Sequence, residues 1–540
     1  MPDLKTLYSA LIQTASNEPE RTALASPKAT LSYHSFLMDV DRAVDMLWFL
    51  GVRKNDKVAI ALRNSPEFII TCLALSKIGA IAVPINFLIS KTDELEFILS
   101  HSGSKGVVTQ KEFLAPYKKL KGKIDSLEFI ISVDALPDAD LNNDVLNFRK
   151  LLKKTSYNPE AHNQHVLETD IVGIFYTSGT TGNPKGVMLT NGNIISNALS
   201  CISALNLTAD DVFLCILPMF HTFSFTSTVI LPILLGSKIV LTSHIAPAAP
   251  WLNMMGREKV TVVAGVPQLF GVLSKEAKGL KKYFLQYWAF RKVRLCMSGA
   301  APLPESVVTN FEKKIRVPLL EGYGLTETSP VVTINKLGAR KIGSVGKTIS
   351  NAQVKIIDEK LNTLNCNQEG EICVKGVCVT QGYFKDKKST EESFTPDGWF
   401  KTGDIGMLDD NGYLRICDRK KDMIINKGLK VFPLQVESVF LKHRSVEECA
   451  VIGVPHKDGE ELIKCFCVLN KDFPTDKSDL MKFAREHLDA YKRPREIEII
   501  DFLPKNALNK VLKRHLRQKH MEQVEKKRRS HDNAVVAGKL

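Results

Sequence analysis

Short, continuous apolar runs alternate along the first part of the chain with longer segments whose apolar positions recur at helical spacing. KVAIAL (Lys57–Leu62) predicts a buried strand. PEFIITCLALSKIG predicts a helix that stops at Gly79, and AIAVPIN (Ala80–Asn86) a second strand. KTDELEFILSHSG predicts another helix, with Thr92 or Asp93 as its cap, and KGVVT closes the set. Strands that are apolar throughout, set between amphipathic helices, predict parallel sheet covered on both faces.

The alternation resumes after a polar segment near Asn142–His165. DIVGIFYTSG reads as a strand running into a loop, LTNGNIISNALSCISAL as a helix, and DVFLCILPMF, SKIVLT, VTVVAG and VRLCMSGA (Val293–Ala300) as further strands. VPLLEGYGLTETSP begins as a strand and ends in a loop. From about Val345 the texture changes to short strands separated by Gly, Asn and Asp turns, which predicts a smaller antiparallel sheet or distorted barrel. The charged run DRKKD, around Arg419–Lys421, marks a boundary, and a stretch of α+β character follows it. The expected fold class is α/β. A large N-terminal domain of parallel-rich sheets with flanking helices spans 1–419, its barrel-like part at 345–419. A small mobile α+β domain spans 420–518, and a basic flexible tail spans 519–540.

Composition narrows this little. With 44% hydrophobic and 24% charged residues, 540 residues suit a multidomain globular protein. The net charge of +14 is uneven: from Lys505 to Leu540 there are 11 Lys or Arg against 3 Asp or Glu. No basic stripe runs through the rest, so nucleic acid is not an expected partner. The basic end offers peripheral contact with an anionic membrane or attraction to an acidic protein, and a solvated, frayed terminus is the plainer reading. The eleven cysteines show no C-x-x-C, and Cys465 and Cys467, two apart on a strand, share one face. No signal peptide is visible, and the apolar run TSTVILPILLG is too short to span a bilayer. The expected location is cytoplasmic, including the inner face of a membrane.

The chemistry concentrates in TSGTTGNPKG, beginning at Thr177. The loop fails the G-x-x-x-x-G-K-[ST] pattern, since Gly182 is followed by Asn183, Pro184 and Lys185. It keeps the physics of a phosphate loop. Gly179 and Gly182 let backbone approach an anion, Thr177, Ser178, Thr180 and Thr181 offer hydroxyl donors, and Lys185 adds a positive charge. Placed after a buried strand and before a helix, it would sit where α/β sheets bind ligands. A plain Ser- and Gly-rich surface turn is the alternative.

YTSGTTGNPKGVMLT resembles the signature of the adenylate-forming enzymes, which include acyl-CoA synthetases, luciferases and nonribosomal-peptide adenylation domains. The resemblance covers about residues 10 to 518, with further motifs in the same order. It implies that in EGYGLTETSP (Glu321–Pro330) Tyr323 lies against adenine, with Gly322 and Gly324 lining the pocket. Thr326 would bond the α-phosphate and Glu327 would hold Mg²⁺. It implies that Gly299 and Ala300, in SGAAPLPE, flank adenine and the acyl pocket, and that Asp404, in GWFKTGDIG, takes the ribose hydroxyls. In DRKKDMIINKGLKVFPLQVE, Arg419 would reach ribose or phosphate, Lys421 would mark the hinge and Gly428 the thiol tunnel, while Glu437 reads as a solvent-facing helix position. In LPKNALNKVLKR the family's catalytic lysine maps to Lys510, a cation for the attacking carboxylate and the α-phosphate.

The resemblance implies carboxylate plus ATP giving acyl-adenylate and pyrophosphate, then attack by the thiol of coenzyme A as the small domain rotates. PMFHTFSFTSTVILPILLG (Pro218–Gly236) matches the family's acid-binding helix, with His221 and Phe223 near the carboxyl end. It lacks an aspartate for a substrate ammonium, which disfavours an amino acid. A medium- or long-chain fatty acid is expected. An aryl acid, an acyl carrier protein as acceptor, and a non-catalytic nucleotide-binding homologue are the alternatives, and a packed core histidine is the plain reading of His221. Two positions depart from the family: Asn191 stands where histidine is common, and Asn509 where glycine precedes the lysine.

Overall fold

The computed structural model describes residues 5–89, 91–134, 145–155, 162, 164–177, 184–426, 429–455, 461–505 and 510–537, with side chains as far as 525. The chain divides into two compact units. One comprises residues 1–354 and 373–401, the other 355–372 and 402–540.

The first unit holds two large sheets. In the seven-stranded sheet the order is Leu146–Asn147, Phe129–Ser132, Ser104–Thr109, Lys57–Ala61, Ile81–Pro84, Ile171–Thr177 and Lys185–Thr190. All of its pairings are parallel except the last. In the nine-stranded sheet the strands Leu319–Gly324, Leu295–Ser298, Val262–Gly265, Val212–Cys215, Lys238–Leu241 and Thr22–Ala25 run parallel in that order. Antiparallel strands complete both of its edges. Successive residues face different cores. Phe213, Leu295 and Met297 join a cluster shared with Val58, Ile60 and Phe175 of the other sheet, while Leu214, Cys296 and Leu319 face a separate cluster on the far side. Burial on both faces explains the unbroken apolar runs.

The helix Pro66–Ile78 lies in the shared core and is buried on nearly every side. Ser65 caps it by accepting from the Phe68 N–H, Pro66 occupies its first turn, and Gly79 ends it at φ +75°. The next helix differs from expectation. It spans Thr92–Ser102, so Thr92 is already helical, and Lys91 stands at the cap without a side-chain bond.

The second unit is α+β. Strands Val446–Pro455, Glu461–Leu469 and Glu496–Ile499 form its three-stranded sheet. Helices Pro433–Phe440 and Lys477–His487 pack on one face through Val436, Phe440, Leu480 and Ala484, and Leu503 and Leu516 cover the other. Cys465 and Cys467 do share a face. Cross-strand register adds Cys449, placing sulfur–sulfur distances of 3.4 and 3.6 Å within the core. A helix runs Lys513–Ala537, across most of the 519–540 stretch expected as a basic flexible tail, over a sequence rich in Lys, Arg, Gln and Glu and without Gly or Pro.

Candidate active site

In the first unit the site residues come from four segments that meet through side chains. Strands Ile171–Thr177 and Lys185–Thr190 pair antiparallel with Thr177 opposite Lys185, and the Thr177 hydroxyl donates to the Lys185 carbonyl at 3.4 Å. The phosphate-like loop therefore joins two strands of a hairpin. It does not lead directly into a helix, because Gly186–Leu189 continues the apolar pattern and pairs back on the sheet. The helix follows at Asn191–Leu205. Ser178, Gly179, Thr180, Thr181 and Gly182 lie outside the described residues.

The Lys185 ammonium donates to the Ser389 hydroxyl at 2.7 Å and lies 5.0 Å over the ring of Tyr383. Ser389 stands in the first turn of the helix Lys387–Ser393, whose cap Asp386 accepts from the Ser389 N–H. Tyr383 in turn donates its hydroxyl to the Glu327 carboxylate at 3.0 Å. Burial and the neighbouring Glu327 both raise the Tyr383 phenol above its ordinary range, so it remains a donor. The Glu327 backbone carbonyl also accepts from Thr380 N–H at 2.8 Å. Sequence reading missed Tyr383 and Ser389, because both lie about two hundred residues from Lys185 along the chain.

Thr326 and Glu327 occupy a single 3₁₀ turn after the strand Leu319–Gly324. Thr326 is buried, and the Thr222 hydroxyl points at its oxygen from 3.5 Å. Gly324 is required sterically, since a Cβ there would stand 1.9 Å from the Pro330 carbonyl oxygen. Tyr323 is half-buried and pairs across the sheet with Thr333, next to Gly322. Thr222 belongs to a continuous helical stretch, 222–235, that includes a π-helical turn at Phe225–Ile230. His221 caps it by accepting at Nδ1 from the Phe223 N–H at 3.2 Å. The Phe223 ring packs on Gly299, where a Cβ would meet it at 3.3 Å. Ala300 adopts φ +66°, a left-handed backbone that reverses the chain directly after the strand Leu295–Ser298. The Glu321 carboxylate accepts from the Leu303 N–H at 3.0 Å, tying this reversal to the next strand. Burial pushes that carboxyl up to about 7. The motif EGYGLTETSP by itself assigns Glu321 no role.

Asn191 stabilises this end of the sheet. It is buried and accepts from Leu7 N–H at 3.0 Å and from the Ser76 hydroxyl at 3.3 Å. Asn509 and Gly428 lie outside the described residues.

In the second unit Asp404 and Arg419 are direct cross-strand partners on Phe400–Leu408 and Leu414–Arg419, 3.3 Å apart as an ion pair. Asp404 is buried. Lys421 follows in the turn Lys420–Asp422. Burial, together with the charges of Arg419 and Lys421, lowers the Lys510 ammonium to about 8 against the opposing pull of Asp404 and Asp422. The structure thus gathers Asp404, Arg419, Lys421 and Lys510 into one electrostatic cluster. Two ion pairs hold the segment that follows Lys510. Lys513 bonds Glu437 at 2.7 Å and Arg517 bonds Asp422 at 2.9 Å. Glu437 is therefore not solvent-facing: it is buried and also accepts from the Val451 N–H at 2.7 Å. Its charge is needed because Lys513 is buried beside it.

A hydroxyl, a carboxylate and an ammonium converging beside a sheet's parallel strand ends, with a separate lysine cluster in an α+β unit, define a nucleotide-handling α/β enzyme. Residues 11–384 match the model of the AMP-binding enzyme family, and residues 435–510 match that of the AMP-binding enzyme C-terminal domain. The chain is 33% identical to a long-chain-fatty-acid–CoA ligase of Bacillus subtilis (strain 168), over 96% of this chain and 95% of the relative. It is 31% identical to 4-coumarate–CoA ligase 1 of Arabidopsis thaliana, over 87% and 84%. Among solved structures, the anthranilate CoA ligase AuaEII in complex with anthranoyl-AMP superposes with a TM-score of 0.89 at 26% identity, over 97% of this chain and 99% of that one. The chain belongs to the AMP-binding enzyme family.

Proposed function

We propose that this enzyme activates a medium- or long-chain fatty acid and delivers it to coenzyme A. It is an AMP-forming acid–thiol ligase. A carboxylate oxygen bonds to the α-phosphorus of ATP, and the bond to the bridging oxygen breaks to release pyrophosphate. The thiol sulfur then bonds to the acyl carbon as AMP leaves and the thiol proton is lost. Neither step needs a side-chain nucleophile, so positioning and charge neutralisation carry the rate.

The observation that carries the reading is the chain of contacts Thr326–Glu327–Tyr383–Lys185. Thr326 offers its hydroxyl to the α-phosphate, and Lys185 offers its ammonium to the outer phosphates. A magnesium ion fits this donor set, because such ions take one or two carboxylates and fill the remaining positions with substrate phosphates and water. Glu327 would hold it, and when bound it neutralises charge on the phosphates. Tyr383 fixes the carboxylate for that task, as an outer partner of a metal ligand does. Tyr323, Gly322, Gly324 and the Gly299–Ala300 reversal bind adenine. Asp404 takes the ribose hydroxyls, Arg419 steadies that carboxylate, and Lys421 lies at the hinge. Lys510 supplies the cation to the attacking oxygen.

The acid assignment rests on the helical stretch 222–235, which is apolar or hydroxylated throughout and contains no carboxylate to receive an ammonium. His221 and Phe223 stand at its N-terminal end, toward the reacting carboxyl. An aryl acid is the second reading, favoured by the flat surface of Phe223 on Gly299. Incubation with ATP, Mg²⁺ and a panel of acids, with and without coenzyme A, tests both. AMP and thioester should form with alkyl acids. AMP formation confined to aryl acids would reverse the substrate assignment, and none with any acid would end the ligase reading.

A further inference from the structure

The first unit carries an exposed aromatic and basic face that the reaction does not use. A short helix, Gly279–Phe284, continues as a π-helical turn, Leu285–Ala289. Leu285 and Ala289 are buried and join the cluster against which Phe223 and Ala300 pack. On the opposite side Leu280, Tyr283 and Tyr287 stand 87%, 61% and 63% exposed. Their spacing of three and four residues puts them on one stripe. The two tyrosine rings stack on each other with centroids 6.2 Å apart. Trp288 lies beside them, seated on Gly256 and covered by the Arg291 guanidinium at 4.8 Å. Val272, on the preceding helix Pro267–Glu276, is exposed as well.

The charge around this stripe has one sign. Between residues 275 and 292 stand Lys275, Lys278, Lys281, Lys282, Arg291 and Lys292 against the single acid Glu276, a net of +5. Lys281 is engaged with Glu276 at 2.6 Å, while Lys278, Arg291 and Lys292 are exposed. Water gains nothing from three large apolar side chains on one face, and an acidic protein would match the charge but not the stacked rings. Tyrosine and tryptophan favour the boundary between headgroups and acyl chains, and lysines just outside it favour anionic headgroups.

We propose that the 279–289 helix face docks on an anionic lipid bilayer, with Leu280, Tyr283 and Tyr287 entering the interface and Lys278, Arg291 and Lys292 on the headgroups. The helix lies in the plane of the surface, with its buried face on the protein and its exposed aromatic stripe toward the lipid. Docking would bring the part of the enzyme that carries Phe223 and Ala300 to a lipid phase. The basic chain end is not needed for it.

Vesicle flotation with the full chain tests the proposal without relying on activity. Vesicles of phosphatidylcholine with one third phosphatidylglycerol should carry the protein, pure phosphatidylcholine vesicles should not, and salt should weaken the binding. Lys278→Gln with Lys292→Gln should weaken partition about 25-fold, from roughly fivefold per basic residue near a charged surface. Leu280→Ser, Tyr283→Ser and Tyr287→Ser together should abolish binding while leaving thioester formation from a short soluble acid unchanged. The proposal is overturned by equal binding of wild type and triple variant, by no binding of wild type, or by binding that disappears on removal of residues 519–540 alone. It is also overturned if the face instead drives concentration-dependent self-association that the triple variant lacks.

Discussion

Replacing Tyr383 by phenylalanine removes one oxygen and leaves the ring under Lys185. The lost bond is the 3.0 Å donation to the Glu327 carboxylate. A hydrogen bond to a charged group contributes about 1.5–3 kcal/mol net. Glu327 keeps its backbone anchor, Thr380 N–H to its carbonyl, so the turn should stay folded while the carboxylate loses its fixed direction. Loss of an outer partner of a metal ligand lowers metal affinity roughly 10- to 100-fold. The Mg²⁺ concentration for half-maximal pyrophosphate release should therefore rise by about that factor. The KM for the acid should change little, since the substitution keeps the Tyr383 ring packed in place and removes only the hydroxyl that bonds Glu327. The assay is a magnesium titration of pyrophosphate release at saturating ATP and acid, with thermal melting to confirm the fold. An unchanged magnesium curve in a normally folded variant would refute the assignment of Glu327 as the metal-holding group.

Three further outcomes follow from the charges. Lys510 must be protonated to act as a cation and its ammonium is lowered to about 8, so adenylate formation should fall as pH rises through 8. Lys510→Arg should remove that alkaline limb, and Lys510→Ala should cut pyrophosphate release by orders of magnitude at every pH. Glu321 has a folded value near 7, above its ordinary one. The folded state therefore binds the extra proton, and the stability that proton contributes is lost as pH rises from the ordinary carboxylate range through 7. Glu321→Gln keeps an acceptor for Leu303 N–H without the buried charge. It should raise the melting temperature at pH 8 and leave it unchanged at pH 4, and an equal shift at both would count against the assignment. Lys513→Met strands the buried Glu437 and should cost about 3–5 kcal/mol in denaturant unfolding, much of which Glu437→Gln added to it should restore.

The strands and helices of the first unit were legible because burial on both faces writes itself as unbroken apolar runs, as in Lys57–Ala61 and Val262–Gly265. Strong punctuation did the rest, with Gly79 ending one helix at a positive φ. The hairpin at Thr177–Lys185 was not legible, because Lys185–Thr190 is a strand too short to be told from the start of the next helix. Nor was the chain-end helix, whose residues favour helix without an apolar stripe to announce it.

Local order along the chain determined which residues are candidates for the chemistry. Gly324 precedes the turn of Thr326 and Glu327 because a Cβ there would collide with the Pro330 carbonyl oxygen, and such a constraint lives within a few residues. Partners were a tertiary decision. Tyr383 meets Glu327, Arg419 meets Asp404, Lys513 meets Glu437 and Cys449 meets Cys465 only once sheets and helices have packed. Hydrogen bonds and ion pairs act over about 3 Å, and nothing in composition or periodicity records which distant segment folding will bring within that reach.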